Sequence, residues 1–110
     1  MSASELPGAT AVSPRLAVDY QEGAVVSRTL LKRGGGTMTL FAFDVDQSLS
    51  EHTAPFDAVV QVLEGDADLT IAGAPVKVLT GEMVLLPAGQ PHAVHAPTRL
   101  KLLLTMIRSA

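Results

Sequence analysis

The chain contains no cysteine and no tryptophan, and aromatic residues make up only 4% of its 110 positions, as three phenylalanines and one tyrosine. The absence of cysteine excludes disulfide scaffolds, thiolate zinc sites and cysteine nucleophiles. Hydrophobic residues nevertheless make up 47% of the chain. We therefore expect a globular domain with an aliphatic core, in which any internal pocket has smooth walls and few polar groups.

Long apolar runs and basic runs are missing as well. The apolar runs span only a few residues, far fewer than the roughly 20 that a membrane-spanning helix needs. Eight basic residues against eleven acidic ones give a net charge of −3, which argues against a nucleic-acid partner. Neither the basic start nor the apolar stretch of a signal peptide is found in the opening residues, MSASELPGAT. We therefore expect no membrane partner and a cytoplasmic location.

What the sequence does contain is a series of short apolar runs, mostly of period two, separated by turn residues. These runs are residues 24–31, 37–45, 58–63, 67–71, 76–79, 83–86, 92–95 and 99–107. Turn signals recur roughly every 8–12 residues, and no segment has a convincing helical period. The spacing predicts an all-β sandwich or barrel of eight or nine strands.

The chain length leaves room for one domain. Residues 1–20 are rich in Ala, Ser and Pro, and they predict an extended N-terminal arm or a short edge strand near residues 16–18. Residues 21–110 are predicted to form the single barrel domain.

Several of the predicted strands are apolar on both faces. In residues 99–107, one face carries alternating apolar residues from Leu100 to Met106, and the other still carries Leu103 and Ile107. Because an antiparallel sheet usually leaves one face polar, the second face must be covered. A second copy of the chain is the simplest cover, which predicts a homodimer. The alternative is that the N-terminal arm covers this face.

The clearest motif lies around the second histidine of the chain. Gly81, Pro87, Gly89 and His92 follow the pattern Gly-x5-Pro-x-Gly-x2-His. This pattern resembles the second motif of small, single-domain, RmlC-like cupins, and the resemblance extends over about residues 36–107. It implies a cupin-type double-stranded β-barrel, the jelly roll, which agrees with the strand count.

The first cupin motif is only partly present. His52 and the closing Gly65 match it, but Ala54 stands where the family has its second histidine and Ala58 where it has an acidic ligand. The resemblance therefore implies a degenerate metal site with His52 and His92 alone. Divalent transition ions normally have three or four protein ligands. We expect no firmly bound cofactor, and at most a weakly bound Fe, Mn, Ni, Cu or Zn ion.

No third ligand is evident from the sequence. His95 lies three positions after His92, so strand alternation sends the two rings to opposite faces. Asp57 and Gln61 likewise have the outward parity on a regular strand, and Glu51 points away from His52 if that stretch is extended.

The alanines at the two ligand positions predict an apolar centre of the barrel. The predicted pocket lining comprises Ala54, Phe56, Ala58, Val60, Val62, Met83, Leu85 and Met106, with Phe56 at the mouth. Such a pocket suits a small apolar or weakly polar ligand, with His52 and His92 as its polar groups. The alternative is that side chains fill the space, as they often do in small barrels.

These observations favour a small-molecule-binding or sensing domain with a degenerate metal site and no clear catalytic role. Two other interpretations stay open. One is a metal-assisted enzyme of the oxygenase or isomerase type that uses His52 and His92. The other is a structural dimeric barrel with a filled core.

Overall fold

The computed structural model describes residues 5–108. One 3₁₀ turn, Pro14–Leu16, precedes nine strands. The strands are β1 (Val25–Arg33), β2 (Gly36–Phe43), β3 (Ser48–His52), β4 (Asp57–Glu64), β5 (Ala67–Ile71), β6 (Ala74–Val78), β7 (Met83–Leu86), β8 (His92–His95) and β9 (Leu100–Ile107). Within the described range, no helix has the length and apolar character needed to cross a membrane.

The strands form two sheets that pack face to face. The larger sheet has five strands in the order β1-β2-β9-β4-β7, and the smaller has four in the order β3-β8-β5-β6. Every strand pair is antiparallel. The all-β, jelly-roll prediction is therefore confirmed.

The strand predictions are wrong at two places. β3 was not predicted, because Ser48–His52 has a single apolar residue, Leu49, and lies at the exposed edge of the smaller sheet. No strand forms near residues 16–18, where the chain instead makes the 3₁₀ turn. Pro14 begins this turn, a position at which its missing N–H costs nothing.

Strand alternation gives the five-stranded sheet an inner and an outer apolar face. On the inner face, Val60, Val62 and Leu102 pack with residues of the smaller sheet in the main core cluster. On the outer face, Leu40 and Ala42 belong to a second cluster. The prediction that the strands are apolar on both sides is therefore correct.

The N-terminal segment lies across part of the outer face. Val18 is buried there and packs with Leu30, Leu40 and Ala42. The backbone N–H of Leu6 donates to the carbonyl of Leu30 at 2.8 Å, so the segment is also tied to strand β1. The alternative in which the arm covers the second face thus applies to this part of the sheet. Residues 1–4 of the predicted arm lie outside the described residues.

A second part of the outer face is not covered by the N-terminal segment. We call it the outer patch, and it consists of Val59, Met83, Leu85 and Ile107. Met83, Leu85 and Ile107 are 62%, 52% and 54% exposed, and β7 is an edge strand of its sheet. The homodimer stays a prediction, and this patch is the surface on which it now depends.

Candidate functional site: a histidine pair at an apolar cavity

The two histidines of the sequence motifs are cross-strand neighbours. His52 at the end of β3 pairs with His92 at the start of β8. Their ring centroids are 4.4 Å apart, and the rings meet edge to face with an interplanar angle of 67°. The fold therefore brings together the two residues that the sequence singled out.

A bulge in β3 is what turns His52 toward the space between the sheets. Leu49 pairs with Val94 in register, but the register shifts before His52 pairs with His92. On a regular strand, positions 49 and 52 would face opposite sides of the sheet, because side chains alternate. The extra residue of the bulge restores the inward direction. As a result, Leu49 and His52 both line the same cavity.

The loops of the two motifs are bound to each other. The backbone N–H of Gly89 donates to the carbonyl of Ala54 at 2.8 Å, and the N–H of Ala88 donates to the carboxylate of Asp57 at 2.8 Å. Gly89 has φ +79°, a conformation that glycine adopts without strain. Ala54 therefore contributes a backbone carbonyl to the architecture of the site, and Asp57 caps the loop that leads to His92.

Both imidazole rings are oriented by the backbone two residues earlier. The Nδ1 atom of His52 lies 2.8 Å from the carbonyl oxygen of Ser50, and that of His92 lies 3.2 Å from the carbonyl oxygen of Gln90. A carbonyl oxygen only accepts hydrogen bonds, so Nδ1 must carry the hydrogen in each ring. The ring of His92 is buried and that of His52 is exposed, so the pair joins the interior to solvent.

The cavity behind the pair is small and apolar, with a volume of about 40 Å³. It lies between the two sheets. Its lining residues are Phe41, Phe43, Leu49, His52, Val60, Leu86, His92, Val94, Leu102 and Leu104. The two imidazoles are thus the only polar side chains in the wall formed by the described residues.

The predicted lining is partly placed elsewhere. Val60 does line the cavity, whereas Ala58 and Val62 are buried in the surrounding core. Met83 and Leu85 are exposed on the outer face, so the inward parity predicted for them is wrong.

The reason is the register of β7 against β4. Val60 pairs with Val84, and Ala58 pairs with Leu86. Directly paired residues share a face, so the even positions of β7 point inward and its odd positions point outward.

Two further predicted lining residues lie away from the histidine pair. Phe56 is half-buried beneath the guanidinium of Arg108, which lies 5.0 Å from the ring centroid. Met106 lines a separate surface groove with Leu31 and Met38. Phe41 and Phe43 do line the cavity, and their alternation with Leu40 and Ala42 in the sequence is the signal that could have found them.

The third histidine does not join the pair. His95 is exposed, and its ring nitrogens lie 3.6 Å from a carboxylate oxygen of Asp46 and 3.9 Å from one of Asp68. Among residues 5–108, no cluster of three or more His, Cys, Asp or Glu side chains is arranged to hold a metal ion. The donor set of two imidazoles therefore does not fit a divalent transition ion, which normally takes three or four protein ligands.

A second polar cluster lies under the N-terminal segment. The hydroxyl of Tyr20 donates to Glu64 at 2.5 Å, and Arg15 donates to the same carboxylate at 3.1 Å. The Tyr20 ring contacts the cationic groups of Arg99 and Lys101, at 5.0 and 4.9 Å from its centroid. The Lys101 ammonium also donates to the carbonyl of Arg15 at 2.8 Å. These contacts fasten the N-terminal segment to the outer face of the larger sheet.

These contacts shift the acid–base equilibria of the cluster. The hydrogen bond from Tyr20, and after it that from Arg15, hold the pKa of Glu64 below its usual value. Burial, followed by the Glu64 carboxylate, raises the pKa of Tyr20 well above its usual range. Nearby, the backbone N–H of Gly23 and then the guanidinium of Arg99 hold the pKa of Asp44 below its usual value.

Comparison with known proteins identifies the fold. A conserved protein of unknown function from Streptococcus pyogenes is 30% identical with a TM-score of 0.89, over 96% of this chain and 92% of that one. A cupin 2 conserved barrel domain protein from Leptotrichia buccalis is 39% identical with a TM-score of 0.83, over 86% of this chain but only 46% of that one. A cupin superfamily protein from Desulfitobacterium hafniense is 23% identical with a TM-score of 0.88, over 94% and 95% of the two chains.

The sequence itself supports the same assignment. No curated protein matches it significantly. The cupin domain family, in contrast, matches over residues 39–107, which include both histidine motifs. The chain belongs to the cupin family.

Proposed function

We propose that the protein is a small-molecule-binding or sensing cupin that works without a firmly bound divalent metal ion. The observation that carries the proposal is the pair of imidazoles in the wall of an otherwise apolar cavity, with no third donor for a metal in the described part of the chain. Apolar pockets with a few convergent polar groups are typical of ligand sites. A homodimer and a cytoplasmic location are part of this proposal.

The test is a thermal-shift screen of chelator-treated protein against small, uncharged organic molecules. A ligand that binds only the folded state raises the melting temperature by mass action. Elemental analysis of protein purified without chelator is expected to show well under one equivalent of Fe, Mn, Ni, Cu or Zn.

A cavity-filling variant tells specific binding from a general solvent effect. Val60→Leu adds one methylene to the wall, roughly the size of a water molecule, and is expected to weaken binding at least about tenfold. Val45→Leu makes the same change at a position that is 47% exposed, and it should leave binding unaltered. Equal loss in both variants, or a full equivalent of metal that disappears in His52→Ala, would contradict the proposal and favour the enzyme interpretation.

A further inference from the structure

The hydrogen-bonding state of the two rings restricts what the cavity can bind. Each Nδ1 donates to a backbone carbonyl, from His52 to Ser50 and from His92 to Gln90. In a neutral imidazole with the hydrogen on Nδ1, the Nε2 atom is a lone-pair acceptor. The pair therefore offers two acceptors and no free donor.

The Nε2 atom of His92 makes no hydrogen bond to the described residues. Within residues 5–108, the His92 side chain makes its hydrogen bond through Nδ1, and the residue is 7% exposed. No buried side-chain nitrogen or oxygen atom in this range lacks a hydrogen-bond partner. Because Nε2 of His92 has no hydrogen-bond partner in this range, it cannot be fully buried, and a solvent-sized group can reach it.

The surroundings of the pair disfavour an ionic ligand. All lining residues other than the two histidines are apolar, and no charged side chain is among them. A carboxylate would find neither a hydrogen-bond donor nor a counter-charge, and an ammonium group would lose its hydration without a carboxylate partner. A neutral donor group matches a ring nitrogen that acts as an acceptor.

The volume sets the size of the buried part. A water molecule needs about 10–15 Å³ on this measure of volume. A cavity of about 40 Å³ therefore takes only a few non-hydrogen atoms.

We infer that the site recognises a small alcohol, with its hydroxyl donating to one free imidazole nitrogen, chiefly that of His92, and its short apolar chain in the cavity. This inference rests on the proposed function and names the ligand class for the same site. His92, the buried partner, contributes more to the selection than His52, because water competes for the exposed ring.

The experiment compares the affinities of chelator-treated protein at pH 8 for three molecules of nearly equal size: 1-propanol, ethyl methyl ether and propionate. The alcohol is expected to bind about tenfold more tightly than the ether, which lacks the donor. Propionate is expected not to bind. The nitrogen resonances of ¹⁵N-labelled histidine give an independent readout: Nδ1 of both rings carries the hydrogen, and 1-propanol moves the Nε2 resonance of His92.

Three variants locate the effect. His92→Phe keeps a ring but removes the acceptor, and it is expected to abolish the preference for the alcohol over the ether. His52→Phe, at an exposed position less able to impair folding, should reduce the preference to a few-fold. His95→Asn is the matched control and should leave it unchanged, since that ring faces Asp46 and Asp68 outside the site.

The outcomes distinguish a failure of the ligand class from a failure of the proposed function. Equal binding of alcohol and ether, tighter binding of propionate, or hydrogens on Nε2 would overturn the inference while leaving the cavity a ligand site. Binding of none of the three, with no hit in the wider screen, would overturn the proposed function as well. Binding that returns only when a metal ion is added would reject both in favour of a metal-assisted site.

Discussion

The polar groups on the two sides of the five-stranded sheet differ in how fully their hydrogen-bonding capacity is used. On the outer face, the Glu64 carboxylate accepts hydrogen bonds from both Tyr20 and Arg15, and the ammonium of Lys101 is bound to a backbone carbonyl. On the inner side, His52 and His92 of the facing four-stranded sheet each use one ring nitrogen for the backbone and keep the other available. Buried polar groups that only hold a fold together are normally satisfied by protein partners. The difference agrees with a structural role for the outer cluster and with the recognition role that we propose for the inner pair.

The largest expected effect comes from removing the centre of the outer cluster. Tyr20→Ala deletes the ring that Arg99 and Lys101 contact together with the hydroxyl bound to Glu64, and should lower the free energy of unfolding by about 2–3 kcal/mol. Tyr20→Phe removes the hydroxyl alone and should cost about 1 kcal/mol. Urea denaturation measures both. A loss no greater than that of His52→Phe would mean that the outer cluster is not structural.

The next effect concerns the part of the outer face that the N-terminal segment leaves open. We expect a second copy of the chain to cover the outer patch. Its side chains are apolar, so two copies of the patch can meet without repulsion between their side chains. Leu85→Glu would place a charge in that contact and should weaken self-association at least about tenfold, or about 1.4 kcal/mol. Sedimentation velocity over a range of concentrations measures it.

The control for this variant is Leu79→Glu, which makes the same change at a residue that is 46% exposed and lies outside the outer patch. It is expected to leave self-association unaltered. A parent protein that stays monomeric at every concentration would show that the homodimer prediction is wrong.

The smallest effect is the response of the outer cluster to pH. The pKa values of Glu64 and Asp44 are lowered in the folded protein, so their stabilisation is present above the usual carboxyl range and is lost as pH falls through the lowered values. The pKa of Tyr20 is raised, so its contribution is present below pH 10 and lost only at more alkaline pH. Stability should therefore be flat near neutrality and decline in acid.

Thermal unfolding between pH 2 and 8 measures this decline. Glu64→Gln cannot ionise, so the acid decline is expected to become shallower in this variant, while its stability at pH 7 is lower than that of the parent. An identical acid profile in parent and variant would remove Glu64 from the explanation.

Alternation made much of the barrel wall predictable. The run 37–45 already places Leu40 on one face and Phe41 on the other, and pairing in the sheet keeps that division. The phase of a short strand is a different matter. In β7 every residue from Met83 to Leu86 is apolar, so no polar position marks the outer face. Only the register against β4 determines which residues point inward, and register is a long-range property that a single strand does not encode.

The two histidines of the site were predictable from the sequence, but the detailed geometry of the site was not. Motif spacing identified His52 and His92, and the structure brings their rings into contact. The local sequence of β3, with its polar residues around Leu49, gave no sign of the bulge that turns His52 inward. The small volume of the cavity was equally out of reach, since it depends on how Phe41, Phe43 and Leu104 pack across the two sheets.

The position of β9 has a consequence for how the chain folds. Leu100–Ile107 is the last strand in sequence, yet it lies in the middle of the larger sheet and pairs with both β2 and β4. Before residue 107 leaves the ribosome, β2 and β4 have no strand between them and their apolar faces are open to misassociation. Pairings this distant in sequence also make folding slow. The larger sheet can therefore be completed only after β9 has been synthesised.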